Sequence, residues 1–264
     1  MPRVSIIMGI YNCESTLARS IDSIINQTYT DWELIMCDDC STDNTLEVAR
    51  EYEDKYKNIK VIRNEKNMRL AYSLNQCLKI TKGEYIARMD GDDICLSHRL
   101  ETQVNFLDNN PDYHVVGSSV ILFDENGDQG TRSMIEIPTK FNLVKSVPHI
   151  HPTILMRKSA YEKLEGYTVL ARTRRCEDAD LWYRFYSSGF KGYNIQIPLL
   201  RYHESINDYK KRNLKAAING MINRYFGYRK LRLPITSYVY IIKPLISVLI
   251  PNKMMYFYHK NIKG

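Results

Sequence analysis

The chain has 264 residues, 44% hydrophobic and 25% charged, a globular balance that excludes disordered and fibrous classes. Its net charge of +7 is unevenly distributed: residues 209–264 hold twelve Lys or Arg and no acid, so they carry +12 and residues 1–208 carry −5. The opening MPRVSIIMGIYN lacks the apolar core and cleavage site of a signal peptide, and six cysteines without framework spacing suit a reducing compartment, so cytosolic residence with free thiols is expected.

Val4 to Met8 reads as a first strand, followed by a helix whose Leu17, Ile21, Ile24 and Ile25 share one face. Glu33 to Cys37 is a second strand. Ser41-Thr42-Asp43-Asn44 then supplies turn and capping chemistry ahead of a helix marked by Leu46, Ala49 and Tyr52. Ile59–Arg63, Leu70–Ile80 and Glu84–Met89 read as strand, helix and strand. Alternating βαβ units over about 125 residues predict a mainly parallel sheet flanked by helices, which binds ligands beyond the carboxyl ends of its strands. The second half is less regular, with strands near Val115–Phe123 and Thr153–Arg157, a turn at Asp124–Gly130, and a helix from Asp178 to Ser187.

Asp90-Gly91-Asp92-Asp93 ends a predicted strand and puts three carboxylates beside a glycine, a hard oxygen site suited to Mg²⁺ or Mn²⁺ and thence to a diphosphate. Read alone, such a motif is more often a solvated acidic turn. An EF-hand loop is disfavoured because its sixth position would be Cys95. Asp38-Asp39 ends the second strand on the same edge, and capping explains Asp43 but leaves these two carboxylates without partners. Cys37-x-x-Cys40 lacks a second cysteine pair for zinc and encloses two acids, so Cys37 is assigned to packing.

The segments VSIIMGIYN, DWELIMCDDCSTDNT, NMRLAYSLNQCL with GEYIARMDGDD, HPTILMRK and EDADLWYRF, in that order over residues 2–205, together resemble the GT2 glycosyltransferases. The resemblance implies a GT-A fold and transfer of a sugar, from UDP-hexose or UDP-N-acetylhexosamine, to a saccharide acceptor with inversion. It also implies a bacterial surface-polysaccharide setting with a polyprenyl-diphosphate-linked acceptor. By the same resemblance Ile10, Tyr11 and Asp39 line the nucleoside pocket, Asp90 meets ribose or sugar, Asp92 ligates Mn²⁺ or Mg²⁺, and Asp178 is the catalytic base. Glu177, Trp182 and His151 fall on the acceptor side, Trp182 either stacking on acceptor or packing in the core. His203 either completes the metal shell or touches phosphate, or is structural. The chain departs from many members at Gly9-Ile10, where they have Pro-Thr, and at Leu74, where they have an Arg facing the diphosphate; Arg69 or Arg88 are the candidates to replace it.

Residues 1–208 are therefore read as the catalytic domain, about 1–95 binding nucleotide and about 96–208 binding acceptor, with 209–264 as a basic, amphipathic helical tail. The apolar stretch Ile235–Ile250 is shorter than the roughly 20 residues that span a bilayer, and Lys243-Pro244 interrupts it. Aromatic residues among the twelve cations, including Tyr225, Phe226, Tyr238, Tyr256, Phe257 and Tyr258, suit an anionic membrane surface on the inner face of the cell membrane; the alternative is a helical cap packed on the catalytic domain. A nucleotidylyltransferase would want a Gly-rich basic loop, yet residues 8–20 hold one Gly and one Arg. A nucleic-acid-binding module using the tail has no fold motif to support it, and no nucleic acid partner is expected.

Overall fold

Alternation along the first strand sets the layering. In a computed structural model describing residues 1–204, 213–251 and 254, β1 (Val4–Ile10) sends Val4, Ile6, Met8 and Ile10 into one core and Ile7 into the other. A strand with both faces buried belongs in the middle of a sheet covered on both sides. β1 pairs in parallel with β2 (Trp32–Asp38) and β4 (Tyr85–Arg88), and β2 with β3 (Ile59–Arg63). Helices α1 (Glu14–Ile25), α2 (Thr45–Lys55) and α3 (Leu70–Leu78) make the crossovers. The ends of β1, β2 and β4 thus lie along one edge, as the βαβ pattern predicts.

The sheet continues in mixed sense among the described residues: beyond β4 come, in spatial order, strands Leu155–Arg157, Val115–Asp124, Gly192–His203 and Ile94–Cys95, with Gly127–Arg132 paired to Val115–Asp124. The short β5 (Ile94–Cys95) and helix α4 (Arg99–Asn109) have no counterpart in the sequence reading. β6 (Val115–Asp124) forms a hairpin with β7 (Gly127–Arg132), so the predicted turn at 124–130 is tighter than its composition suggests. Gly127 and Gly130 have φ of 97° and 103°, which lets that stretch run on as a strand rather than a loop. β8 (Leu155–Arg157) starts two residues later than predicted, because Pro152 sits in a 3-10 turn at His151–Thr153. Helices α5 (Lys158–Lys163) and α6 (Glu177–Ser187) follow, then β9 (Gly192–His203).

The boundary drawn at 208/209 falls among residues outside those described, as do Tyr256, Phe257 and Tyr258. Beyond it, helix α7 (Leu214–Lys230) joins the core that holds α6: Tyr228 is fully buried, as nearly are Leu231 and Leu233. Gly227 has no Cβ to obstruct the Tyr183 ring, and the Tyr228 hydroxyl donates to the Val144 carbonyl at 2.9 Å. Each such side chain loses roughly 2 kcal/mol on exposure, so residues 214–233 pack as a cap on the catalytic body. The opposite face of α7 is apolar yet exposed at Leu214, Ile218, Ile222, Tyr225 and Phe226. A 3-10 segment, Ile235–Ile242, leads to the short helix α8 (Lys243–Leu249). Among the described residues no helix is long and apolar enough to cross a membrane.

Candidate active site

Two loops at the carboxyl edge are stitched together before any ligand is considered. The Asn12 amide donates to Ser41 Oγ at 3.1 Å, the Cys13 amide to Thr45 Oγ1 at 2.8 Å, and the Thr42 amide to Asn12 Oδ1 at 2.9 Å. Asp43 accepts from the Thr45 amide at 3.1 Å, the capping role its position suggested.

The idea that Asp38 and Asp39 lack partners is corrected. Asp38 is fully buried, accepts from the Ser41 amide at 3.2 Å and pairs with Arg63 at 3.2 Å. Asp39 Oδ1 accepts from the Met68 amide at 2.7 Å and Asn64 Nδ2 at 2.8 Å, while Oδ2 accepts from the Arg69 amide at 2.7 Å. A buried carboxylate bonded to backbone N–H groups pins the chain that carries them. Here it holds the loop before α3, where Arg69 has φ of 76°. Asp39 also joins Ile10, Tyr11, Asn67 and Arg69 around a pocket of about 180 Å³. The three residues assigned to the nucleoside from sequence thus share one small cavity. Ile10 is buried; Tyr11 is about half exposed.

Asn67, Arg69 and Leu70 also line a larger cavity of about 1040 Å³. Its far wall comes from residues 169–177, including Arg174, Arg175 and Glu177, and from the first turns of α7, including Lys215. The Oδ1 of Asn67 is buried without a hydrogen-bond partner among the described residues. Leu74 is fully buried in the core and faces neither cavity, so the departure noted there removes a polar group rather than redirecting one. Of its candidate replacements, Arg69 lines both cavities, whereas Arg88 is buried and paired with Asp90.

The acidic turn after β4 is built differently from that after β2. Ser20 and Thr16 hydroxyls donate to the Asp90 and Gly91 carbonyls, each at 2.9 Å, and a Cβ on Gly91 would come within 3.0 Å of Cys13 Sγ. With its backbone held, the turn brings carboxylate oxygens of Asp90, Asp92 and Asp93 within 4.8 Å of one another. Asp93 Oδ1 accepts from the His203 amide at 2.8 Å, while Oδ2 is buried with no partner among the described residues. Burial, then the neighbouring Asp90 and Asp92, push the Asp93 carboxyl well above the usual range. His203 Nδ1 stands 3.5 Å from Asp92 Oδ2. Three convergent carboxylates, one with an orphaned buried oxygen, fit a hard divalent cation.

Glu177 and Asp178 open α6. Burial, then the Asp178 charge, raise the Glu177 carboxyl to about 7. Burial raises Asp178 too, against the Ala179 amide that donates to it at 2.7 Å. They face different spaces. Glu177 lines the large cavity, and Asp178 lines an adjoining one of about 330 Å³ against α7, with Arg175 and Ala216 common to both. The third acid of this turn, Asp180, is taken up by Arg172, Arg184 and Thr168.

Two acceptor-side candidates lie in the core, Trp182 in the packing role that was one of its two readings. Trp182 is fully buried, its ring 4.6 Å from His149 and 5.6 Å from Phe185, so it packs in the core. His151 is buried with Nε2 2.8 Å from the Tyr167 hydroxyl; burial and the Arg88 charge drive its pKa well below the ordinary value. His149 likewise lies between Asn194 at 2.7 Å and Tyr186 at 3.0 Å. Sequence reasoning missed Asn67 and the α7 wall; the basic run Arg174-Arg175 was the available signal for part of that wall.

Residues 5–165 match the family described as Glycosyl transferase family 2. The chain is 49% identical over 260 residues to EpsE of Bacillus subtilis strain 168, which bears the name of a glycosyltransferase, covering 98% of this chain and 94% of that one. It is 28% identical to the UDP-Gal:alpha-D-GlcNAc-diphosphoundecaprenol beta-1,3-galactosyltransferase of Escherichia coli, covering 99% and 96%. Its fold is similar to that of the mannosyltransferase PcManGT from Pyrobaculum calidifontis in complex with GDP-Man and Mn²⁺, with a TM-score of 0.66 at 17% identity over 96% and 71% of the chains. With a GT-A fold and the acidic edge described above, this chain belongs to glycosyltransferase family 2.

Proposed function

We propose that this glycosyltransferase moves a hexose or N-acetylhexosamine from a UDP-sugar to a saccharide on a polyprenyl diphosphate, with inversion, at the inner face of the membrane. The observation that carries the reading is the convergence of Asp90, Asp92 and Asp93 after β4, on the sheet edge where the ends of β1 and β2 present the small cavity of Tyr11 and Asp39. Asp92, Asp90 and Asp93, with His203 beside them, would hold Mg²⁺ or Mn²⁺. Bound there, the cation supplies Lewis-acid stabilisation of charge on the departing diphosphate. Ile10, Tyr11 and Asp39 bind the nucleoside, and Asp90 the ribose or sugar. Asp178 takes the proton of the acceptor hydroxyl as that oxygen attacks the anomeric carbon. A single displacement inverts configuration and needs no enzyme nucleophile.

The acceptor assignment draws on the relative named for a diphosphoundecaprenol substrate. The exposed apolar stripe of α7 also supports it. Lys215, Arg229, Lys230 and Arg232 flank that stripe, and residues 209–264 contain no acid, a composition that suits anionic headgroups. A panel of nucleotide sugars, with and without Mn²⁺, tests the reading through nucleoside diphosphate release. Release from a UDP-sugar that EDTA abolishes is the expected result. Pyrophosphate release from a nucleoside triphosphate and a sugar phosphate would instead mark a nucleotidylyltransferase.

A further inference from the structure

We infer that Arg174, Arg175 and Lys215 form a second anion subsite, distinct from the acidic metal edge, that holds the diphosphate of the lipid-linked acceptor; this rests on the reading above. Among the described residues four cations, these three and Arg69, line the 1040 Å³ cavity, with Glu177 the one carboxylate. Arg69 also lines the small pocket with Tyr11 and Asp39, on the nucleotide side. The other three stand on the opposite wall. Arg174 and Arg175 come from the turn before α6, and Lys215 from the first turn of α7. Arg174 and Lys215 are exposed, with no carboxylate partner among the described residues. An excess of cations over acids facing a cavity favours an anionic ligand.

A second observation says which anion. The rim beside these cations is apolar and exposed: Val169 and Leu170 line the cavity, and Leu214 and Ile218 flank Lys215 on the stripe of α7. A UDP-sugar has no apolar tail for such a rim. A polyprenyl diphosphate places its charge on the cations and its first prenyl units along the rim. Arg175 and Ala216 also line the cavity of Asp178. A sugar attached to the held diphosphate thereby extends toward the proposed base.

The test compares two acceptors with whichever UDP-sugar the panel identifies: N-acetylglucosamine joined through a diphosphate to a long alkyl chain, and the matching alkyl glycoside without phosphate. For the double variant Arg174→Gln, Lys215→Gln, the kcat/KM advantage of the diphosphate acceptor falls about 10–100-fold, the range of charge-assisted hydrogen bonds. Donor KM is unchanged. Inorganic pyrophosphate inhibits the parent protein competitively against the diphosphate acceptor. An equal fall on both acceptors, or a rise in donor KM alone, assigns the cations to the nucleotide and overturns the inference. So does an unchanged ratio. If the variant fails to fold, pyrophosphate competition on the parent decides, and competition against donor alone overturns it. A parent that consumes UDP-sugar equally well with both acceptors defeats only this subsite. One that consumes it with neither defeats the functional reading together with it.

Discussion

The acidic turns after β2 and β4 look alike in sequence, end neighbouring parts of one sheet edge, and differ in what their oxygens touch. Both carboxylates at 38 and 39 are engaged by the protein itself, through Ser41, Arg63, Asn64, Met68 and Arg69. The turn at 90–93 has its backbone held by Ser20 and Thr16, while three side chains converge and one buried oxygen stays without a partner among the described residues. One turn spends its charge on shape. In the other, shape comes from elsewhere, so charge is left over for a ligand.

The sharpest way to break the contrast is to neutralise one acid in each turn. Asp92→Asn should lower metal-dependent turnover by roughly 10⁴-fold, the several kcal/mol of lost Lewis-acid stabilisation, with melting temperature little changed. Full activity with the same Mn²⁺ dependence would remove Asp92 from the metal site.

Asp178→Asn should reduce kcat by on the order of 10²–10⁴ with donor affinity nearly unchanged, the range of general base catalysis. Glu177→Gln serves as its neighbouring control and should cost less. If the two variants rank the other way in single-turnover assays, the base is Glu177, which faces the larger cavity.

Asp39→Asn should do the opposite of Asp92→Asn and act first on stability. Whichever oxygen becomes the amide nitrogen, part-buried or buried donors lose their acceptor, the Arg69 N–H on one side or the Met68 N–H and Asn64 amide on the other, at a cost of up to about 3 kcal/mol. Urea unfolding measures it. A stable variant with weakened donor binding alone would place Asp39 among the ligand contacts only.

The smallest effect concerns the buried histidines behind the site. Burial lowers His149 from its ordinary 6.5 to about 4. Its contribution is therefore intact above pH 6.5 and lost as pH falls toward 4, because the unfolded chain takes up the proton first. Glu177, raised to about 7, works in the reverse direction over pH 7 to 4.5, so the raw pH profile mixes the two. The stability difference between the parent and His149→Gln cancels Glu177 and should shrink by about 2 kcal/mol between pH 7.5 and pH 5. A difference that stays flat across that interval would show His149 titrating in the fold at its ordinary value.

Much of this was legible in the chain itself. The periods of β1, α1, β2 and β3 define a parallel sheet, and Asp90-Gly91-Asp92-Asp93 sits at a strand end where ligands bind. β5 was not legible because two residues show no period, and α4 because its buried Arg99 and Gln103 interrupt the apolar pattern. Among candidate site residues, sequence order brought Ile10, Tyr11 and Asp39 to one edge. It could not separate Trp182 as core from Trp182 as platform, since an i, i+4 spacing from Asp178 says nothing about which side of a helix meets a cavity.

Local chemistry along the chain determined the layered α/β sheet, the acidic edge and the concentration of positive charge in residues 209–264, because those depend on short-range periodicity and on residue type. Tertiary structure alone decided that Asp38 and Asp39 bond to the β3 end and the loop before α3, that His151 and Trp182 are buried, and that α7 is at once a cap through Tyr228 and a wall of the cavity through Lys215. These outcomes depend on partners distant in sequence: Asp38 finds Arg63, Asp39 the amides at 68 and 69, and Tyr228 the Val144 carbonyl. A hydrogen bond acts over about 3 Å in space, and a linear sequence carries no measure of that distance until the chain has folded.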